Sequence, residues 1–180
     1  KVAKQADALM VFYLLSPGQV KHILELMGYE VDDERKLATG NYEYYLSRTS
    51  HGSTLSYVVH SAISRYVEGH RTDTWRWFLE ALRSDIFDSQ GGTTREAIHC
   101  GVMAGTICIM LENFAGLSLF RDRIRIEPNL PHSWNRFMFR LTHRGVPVRI
   151  EIGPDRIQVW NEAEGVAGTD APGIEVDGTT

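Results

Sequence analysis

The spacing of apolar residues changes once along the chain, at about Gly116, and that change limits the fold more than any other feature. Before it the period is helical. Leu55, Val58, Val59, Ala62, Ile63, Tyr66 and Val67 follow an i, i+3, i+4, i+7 pattern, and Gly69 closes it. Trp75, Phe78, Leu79, Leu82 and Ile86 repeat the same logic. After Gly116 the period becomes two: Ile124 and Ile126, then Phe137, Phe139 and Leu141, then Val146, Val148, Ile150 and Ile152, then Ile157 and Val159. Such alternation buries one face of a strand. "THRGVP" and "GPDR" are turn signals between the strands. Helices followed by antiparallel strands predict two domains or an α+β arrangement.

Smaller signals fill in the helical part. Val2–Leu15 reads as a helix, and Ser16 and Pro17 restart one as N-cap and first-turn residue. Val20, Ile23, Leu24 and Met27 keep helical spacing up to Gly28. "EVDDERKLATGN" reads as a solvated connector. Thr93 and Glu96 in "TTRE" form a capping box for a helix running to about Phe114. Gly101, Ala104, Gly105 and Cys108 give that helix a small-residue stripe, which lets a neighbour approach closely. From Asn161 onward Gly, Ala, Thr and acids dominate, and a loosely ordered tail is expected. The chain opens within an apolar helical pattern and without Met, as a piece of a longer chain would.

Composition excludes several classes of partner. A 43% hydrophobic content over 180 residues is enough for a real core. The net charge of −4, with no basic run, argues against nucleic acid and anionic membrane surfaces as main partners. The apolar runs are too short or too interrupted to span a bilayer, and a cytoplasmic location is the expectation. Cys100 and Cys108, on one helix, lie roughly 12 Å apart at the helical rise, too far for a disulfide. They read as buried small hydrophobes in a reducing compartment, and no metal-type cysteine pair exists.

The residues with chemistry cluster at helix beginnings. His51, Gly52, Ser53 and Thr54 precede the helix starting near Leu55, where free N–H groups and the helix dipole favour an anion. Gly52 permits close backbone approach, the hydroxyls donate, and His51 can carry charge near neutral pH. Arg48 is near enough in sequence to help. Simple helix capping explains the same residues. Lys4 and Gln5 could hydrogen-bond sugar hydroxyls or form a solvated helix face. His99 could line a pocket, or be structural as His60 and His143 are expected to be. Asp7 and Glu96 lie near these segments in sequence but show no paired acid–base spacing.

Four segments in order, "KQAD" from Lys4, "NYEYYLSRTSHGSTLS" from Asn41, "TTREAIHCGVMAGT" from Thr93 and "RIRIEPNLPHSW" from Arg123, resemble the C-terminal part of glycoside hydrolase family 65. That family includes maltose, trehalose and kojibiose phosphorylases, and the resemblance covers about Lys1 to Val159. It implies a mainly α fold: residues 1–116 as the C-terminal helices of an (α/α)6 barrel, 117–160 as an antiparallel β-sandwich segment, and 161–180 as the tail. It implies inverting phosphorolysis of an α-glucosidic disaccharide to β-glucose 1-phosphate and glucose. No metal or organic cofactor is needed, inorganic phosphate being the co-substrate. By resemblance Lys4 and Gln5 hold the glucosyl unit and His99 lies near its pocket. His51, Gly52, Ser53 and Thr54 fall in the phosphate-binding segment. The catalytic Glu lies in an earlier part of the barrel, so this chain alone is expected to be inactive. Leu46 and Ser47 replace a Glu-Pro often seen in the family, removing a carboxylate near the anion site, and Ala97 replaces a common Gly. A trehalase-like inverting hydrolase and a non-catalytic carbohydrate-binding or interaction fragment are the alternatives. Disaccharide and phosphate are the expected partners, and the resemblance allows a homodimer.

Overall fold

A computed structural model describes residues 2–67, 69–92, 95, 97–163 and 173–176. The chain forms two compact units, Lys1–Ile109 and Met110–Thr180. The first is helical and the second is built on strands, as the change of period predicts. The division falls before Gly116 because the π-helical turn Met110–Phe114 packs with the strands. Leu111 lies on their core, and Asn129 donates its N–H to the Phe114 carbonyl at 2.8 Å.

In the first unit a 3₁₀ turn, Asp7–Leu9, leads into α1 (Met10–Leu14), α2 (Pro17–Leu26), α3 (Glu34–Leu46), α4 (Leu55–Ser64), α5 (Arg71–Arg83) and α6 (Cys100–Ile109). Helix α4 is the axis of the unit. Its residues from Val58 to Ser64 are buried, and α1, α3, α5 and α6 pack against it. Val59 and Ile63 from α4 join Leu9, Phe12, Val20, Ala38, Tyr42 and Val67 in one core. The Ser16 capping box forms as expected: Ser16 Oγ accepts from Gln19 N, and Gln19 Oε1 accepts from Ser16 N at 2.9 Å. Gly105 is where the small-residue stripe matters. A Cβ there would lie 2.6 Å from Val58 Cγ1, so only glycine allows α6 this close to α4. Gly101 faces open space instead.

Several expectations are corrected. The first helix does not begin at Val2. Ala3 forms a parallel bridge with Thr49, and its backbone groups bond Arg48 O and Ser50 N at 2.8 and 2.9 Å. Those bonds replace the helical ones, and helix begins only at Asp7. The supposed connector contains α3. Asp33 caps it by accepting from Arg35 N and Lys36 N, while Ala38 and Tyr42 form a buried stripe beneath the charges. Ile86 lies past the end of α5 and is exposed. Cys100 is exposed and Cys108 half-buried, because α6 is covered on one side only; neither is in a disulfide. Thr93 and Glu96, the expected capping box, lie outside the described residues.

Among the described residues of the second unit the strands are β1 (Leu117–Leu119), β2 (Arg123–Ile126), β3 (Phe137–His143), β4 (Val146–Ile152), β5 (Ile157–Asn161) and β6 (Gly173–Val176). They form two three-stranded sheets, ordered β1-β2-β6 and β3-β4-β5. Alternation along β4 buries Val146, Val148, Ile150 and Ile152 against Ile124 and Ile126. Arg144 and Gly145, both at positive φ, make the two-residue turn between β3 and β4. Two features depart from an all-antiparallel sandwich with a loose tail. β6 lies in the expected tail, and it pairs parallel to β2, with Ile174 opposite Ile124. The β2 edge left open by β1 gains a partner this way, and Ile174 packs on the core.

Candidate functional site

The two segments singled out for sugar and anion binding lie side by side. Beyond the Ala3–Thr49 bridge, Gly52 donates its N–H to the Lys4 carbonyl at 2.8 Å, and Ser50 Oγ donates to the same carbonyl at 3.1 Å. A Cβ on Gly52 would sit 3.1 Å from Lys4 Cγ and 3.2 Å from Lys4 O, so the glycine lets the two segments approach this closely. Ala6 N donates to Ser56 Oγ at 3.1 Å, tying the same segment to the first turn of α4. Lys4 and Gln5 are therefore not on a helix face. They stand in a short bent segment fixed by its backbone, with Lys4 exposed and Gln5 donating to Asp7 at 2.8 Å.

His51 is the pivot of this turn. It adopts φ +50°, uncommon for a residue with a Cβ, and its carbonyl accepts from Gln90 Nε2 at 3.1 Å. The ring stacks on Tyr57 with centroids 5.4 Å apart, leans on Trp77 at 4.8 Å and meets His60 edge-on at 4.9 Å. Nδ1 is buried without a partner among the described residues. A buried N–H with no acceptor costs more than a buried lone pair, so the proton belongs on Nε2. Burial, helped by the positive charge of Arg76, lowers the pKa of His51. The neutral ring then offers an Nε2 N–H, not the cation read from the sequence. His60 is fully buried, as a core histidine should be, with Nδ1 2.8 Å from the Ser56 carbonyl and Nε2 unpartnered among the described residues. Burial pushes its pKa down to about 4.

Ser53 and Thr54 lead into α4 without forming a strong cap. Thr54 makes no side-chain capping bond, and Ser53 Oγ accepts from Leu55 N only at 3.4 Å. The capping explanation therefore accounts for little of the hydroxyl pair. Arg48 is turned away from the site: it lies over the Tyr44 ring and donates to the Tyr44 carbonyl at 2.8 Å, at the end of α3. Arg76, stacked on Trp77 at 4.4 Å, is instead the guanidinium whose charge reaches His51. Sequence spacing gave no sign of Arg76, Tyr57 or Trp77, because they meet His51 only through the crossing of α4 and α5.

His99 lies at the start of α6, half-buried. Asp85, in the connection after α5, holds it twice: Oδ2 accepts from His99 N at 2.8 Å, and Oδ1 faces His99 Nδ1 at 2.5 Å. That connection also carries Gln90, so it ties to the His51 turn as well. Between His99 and the Lys4–His51 pair, the described residues show no direct hydrogen bond. Among the described residues no group of three or more His, Cys, Asp and Glu could hold a metal ion, and no helix is long and apolar enough to cross a membrane.

Comparison with known proteins gives a consistent family. Residues 1–108 match the model of the glycosyl hydrolase family 65 central catalytic domain, and 117–178 match that of the family 65 C-terminal domain. Trehalose 6-phosphate phosphorylase of Lactococcus lactis is 40% identical over 152 residues, 84% of this chain and 19% of that protein. A kojibiose phosphorylase of Halothermothrix orenii is 29% identical over 162 residues, 88% of this chain and 18% of that protein. A solved structure from the human microbiome, provisionally assigned as a kojibiose phosphorylase, superposes with TM-score 0.72 at 25% identity, covering 99% of this chain and 23% of that one. The chain spans about a fifth of the length of these relatives. Helices followed by strand sheets fit the end of the catalytic domain and the C-terminal domain, and the chain belongs to glycosyl hydrolase family 65.

Proposed function

We propose that this chain is part of an inverting disaccharide phosphorylase, with the His51–Thr54 turn as its phosphate site and Lys4 and Gln5 on the glucosyl unit. The observation that carries this reading is the joining of the two segments. Lys4 O accepts from both Gly52 N and Ser50 Oγ, so a sugar held by Lys4–Gln5 and an anion held by the turn would lie within reach of each other. Inversion needs a nucleophile on the face opposite the leaving oxygen, positioned before reaction. Phosphate suits a helix start with two hydroxyls that make at most a weak capping bond, an Nε2 N–H and a nearby guanidinium. A hydrolase would need a carboxylate base there to activate water, and the sequence from Thr49 to Ser56 contains none. The general acid comes from elsewhere in the parent protein. His99 lines the sugar pocket in this reading, and no cofactor beyond phosphate takes part.

The first substrates to test are α,α-linked disaccharides, free or 6-phosphorylated. The trehalose 6-phosphate phosphorylase of L. lactis is 40% identical to this chain, against 29% for the kojibiose phosphorylase of H. orenii. Within the full-length parent, Ser53→Ala removes a donor to a charged ligand, worth about tenfold in KM for phosphate. Steady-state kinetics should show that rise with the disaccharide KM unchanged. An unchanged phosphate KM would return Ser53 to a capping role.

A further inference from the structure

The Asp85–His99 pair offers a role that lies beyond the phosphate site. Asp85 is 8% exposed in its side chain and His99 is 35% exposed, so the carboxylate is interior while the imidazole reaches outward. One carboxylate meets both the backbone N–H and Nδ1 of the same residue. The hydrogen bonds from His99 hold the Asp85 carboxyl below its ordinary pKa, so it is ionised at neutral pH and can only accept. Nδ1 of His99 must then carry its proton toward Asp85. In the neutral ring that leaves Nε2 as a lone pair on the outward side.

We propose that Asp85 is a positioning residue that fixes the tautomer and orientation of His99, so that Nε2 accepts a hydrogen bond from a hydroxyl of the bound glucosyl unit. This rests on the reading above that His99 lines the sugar pocket. The geometry makes Asp85→Asn a sharp probe. An Asn side chain has one acceptor and one donor where Asp has two acceptors. The buried N–H of His99 keeps the acceptor, so the amide NH2 faces Nδ1. Nδ1 must then accept, the proton moves to Nε2, and the ring donates where it had accepted. The fold is preserved while the polarity at the sugar is inverted.

The test is a double-mutant cycle in the full-length parent, with Asp85→Asn and His99→Gln read alone and together. Asp85→Asn should lower kcat/KM for the disaccharide about 10–100-fold, the scale seen when a carboxylate that orients a metal-binding histidine is lost. KM for phosphate should stay within about twofold, and in the His99→Gln background Asp85→Asn should cost less than about twofold. An equal loss with and without His99 would overturn the proposal and leave Asp85 as a loop anchor. If Asp85→Asn does not fold, Asp85→Glu is read in the same cycle by the same criterion. Ring-nitrogen NMR of ¹⁵N-histidine-labelled parent protein separates this proposal from the function it rests on. The wild type should show Nδ1–H at His99 and Asp85→Asn should show Nε2–H; an unchanged tautomer overturns the proposal. If the tautomer inverts in Asp85→Asn but the wild-type parent turns over no disaccharide, the sugar contact and the phosphorylase reading are overturned while the pairing stands.

Discussion

His60 shows how a single buried side chain sets the pH behaviour of the helical unit. It is enclosed by Tyr42, His51 and Trp77, with one ring nitrogen on the Ser56 carbonyl. Its pKa is about 4 in the fold against an ordinary 6.5. Between those values the unfolded chain binds a proton that the folded chain refuses, so stability falls as pH drops from about 6.5 to about 4 and is flat below. The difference is worth about 3 kcal/mol, and the lowered pKa of His51 acts in the same direction. Urea titrations across that window, followed by tryptophan fluorescence, should show the loss, and His60→Leu should flatten it. A wild-type midpoint that does not move from neutral pH to pH 4 would contradict the burial argument. At this scale the sequence identified His51 by its company of Gly, Ser and Thr. It could not show that the ring is neutral, because its stacking partners Tyr57 and Trp77 and the nearby Arg76 come from α4 and α5.

Helix α4 holds the site in place, and its contact with α6 is the tightest test of the packing. Gly105→Ala would press a methyl to 2.6 Å from Val58 Cγ1, and Val58 is fully buried. Overpacking of this kind costs about 1–3 kcal/mol, outweighing the better helix propensity of alanine. Thermal unfolding should show the loss, and Val58→Ala in the same chain should recover part of it. Equal destabilisation with and without Val58→Ala would contradict the assigned contact. Elements with a clean period were legible in advance: α4, α5 and strands β2 to β5 form where the apolar spacing starts them, although α4 ends at Ser64 and α5 at Arg83, short of Val67 and Ile86. Helix α3 was hidden because Asp33 to Lys36 mask a narrow stripe of Ala38 and Tyr42. The N-terminal segment misled for the opposite reason. Its alanines suit a helix, but the bridge to Thr49 takes the backbone bonds of Ala3. β6 has little periodic signal, since a short strand is defined by the β2 edge it joins.

For the whole molecule, apolar surface remains open on the helical unit. Leu14 on α1, Leu26 on α2 and Met27 just after it are 66–75% exposed, and Ile86 and Phe87 after α5 are 71–72% exposed. Such patches call for cover. The chain purified alone should therefore bind hydrophobic dye, self-associate with rising concentration, and turn over no disaccharide. A monomeric chain with turnover would contradict both the need for cover and the proposal that the general acid comes from elsewhere in the parent protein. The central claim, that the turn before α4 holds attacking phosphate, concerns the parent protein. It is tested most directly by release of the acceptor sugar (glucose, or glucose 6-phosphate from trehalose 6-phosphate) from trehalose, trehalose 6-phosphate, maltose, kojibiose and nigerose, with and without inorganic phosphate, while β-glucose 1-phosphate is followed in parallel. The account predicts release that requires phosphate and yields β-glucose 1-phosphate in equal amount to the released sugar. Release at the same rate without phosphate, and with no β-glucose 1-phosphate formed, would contradict it and make the site one that activates water.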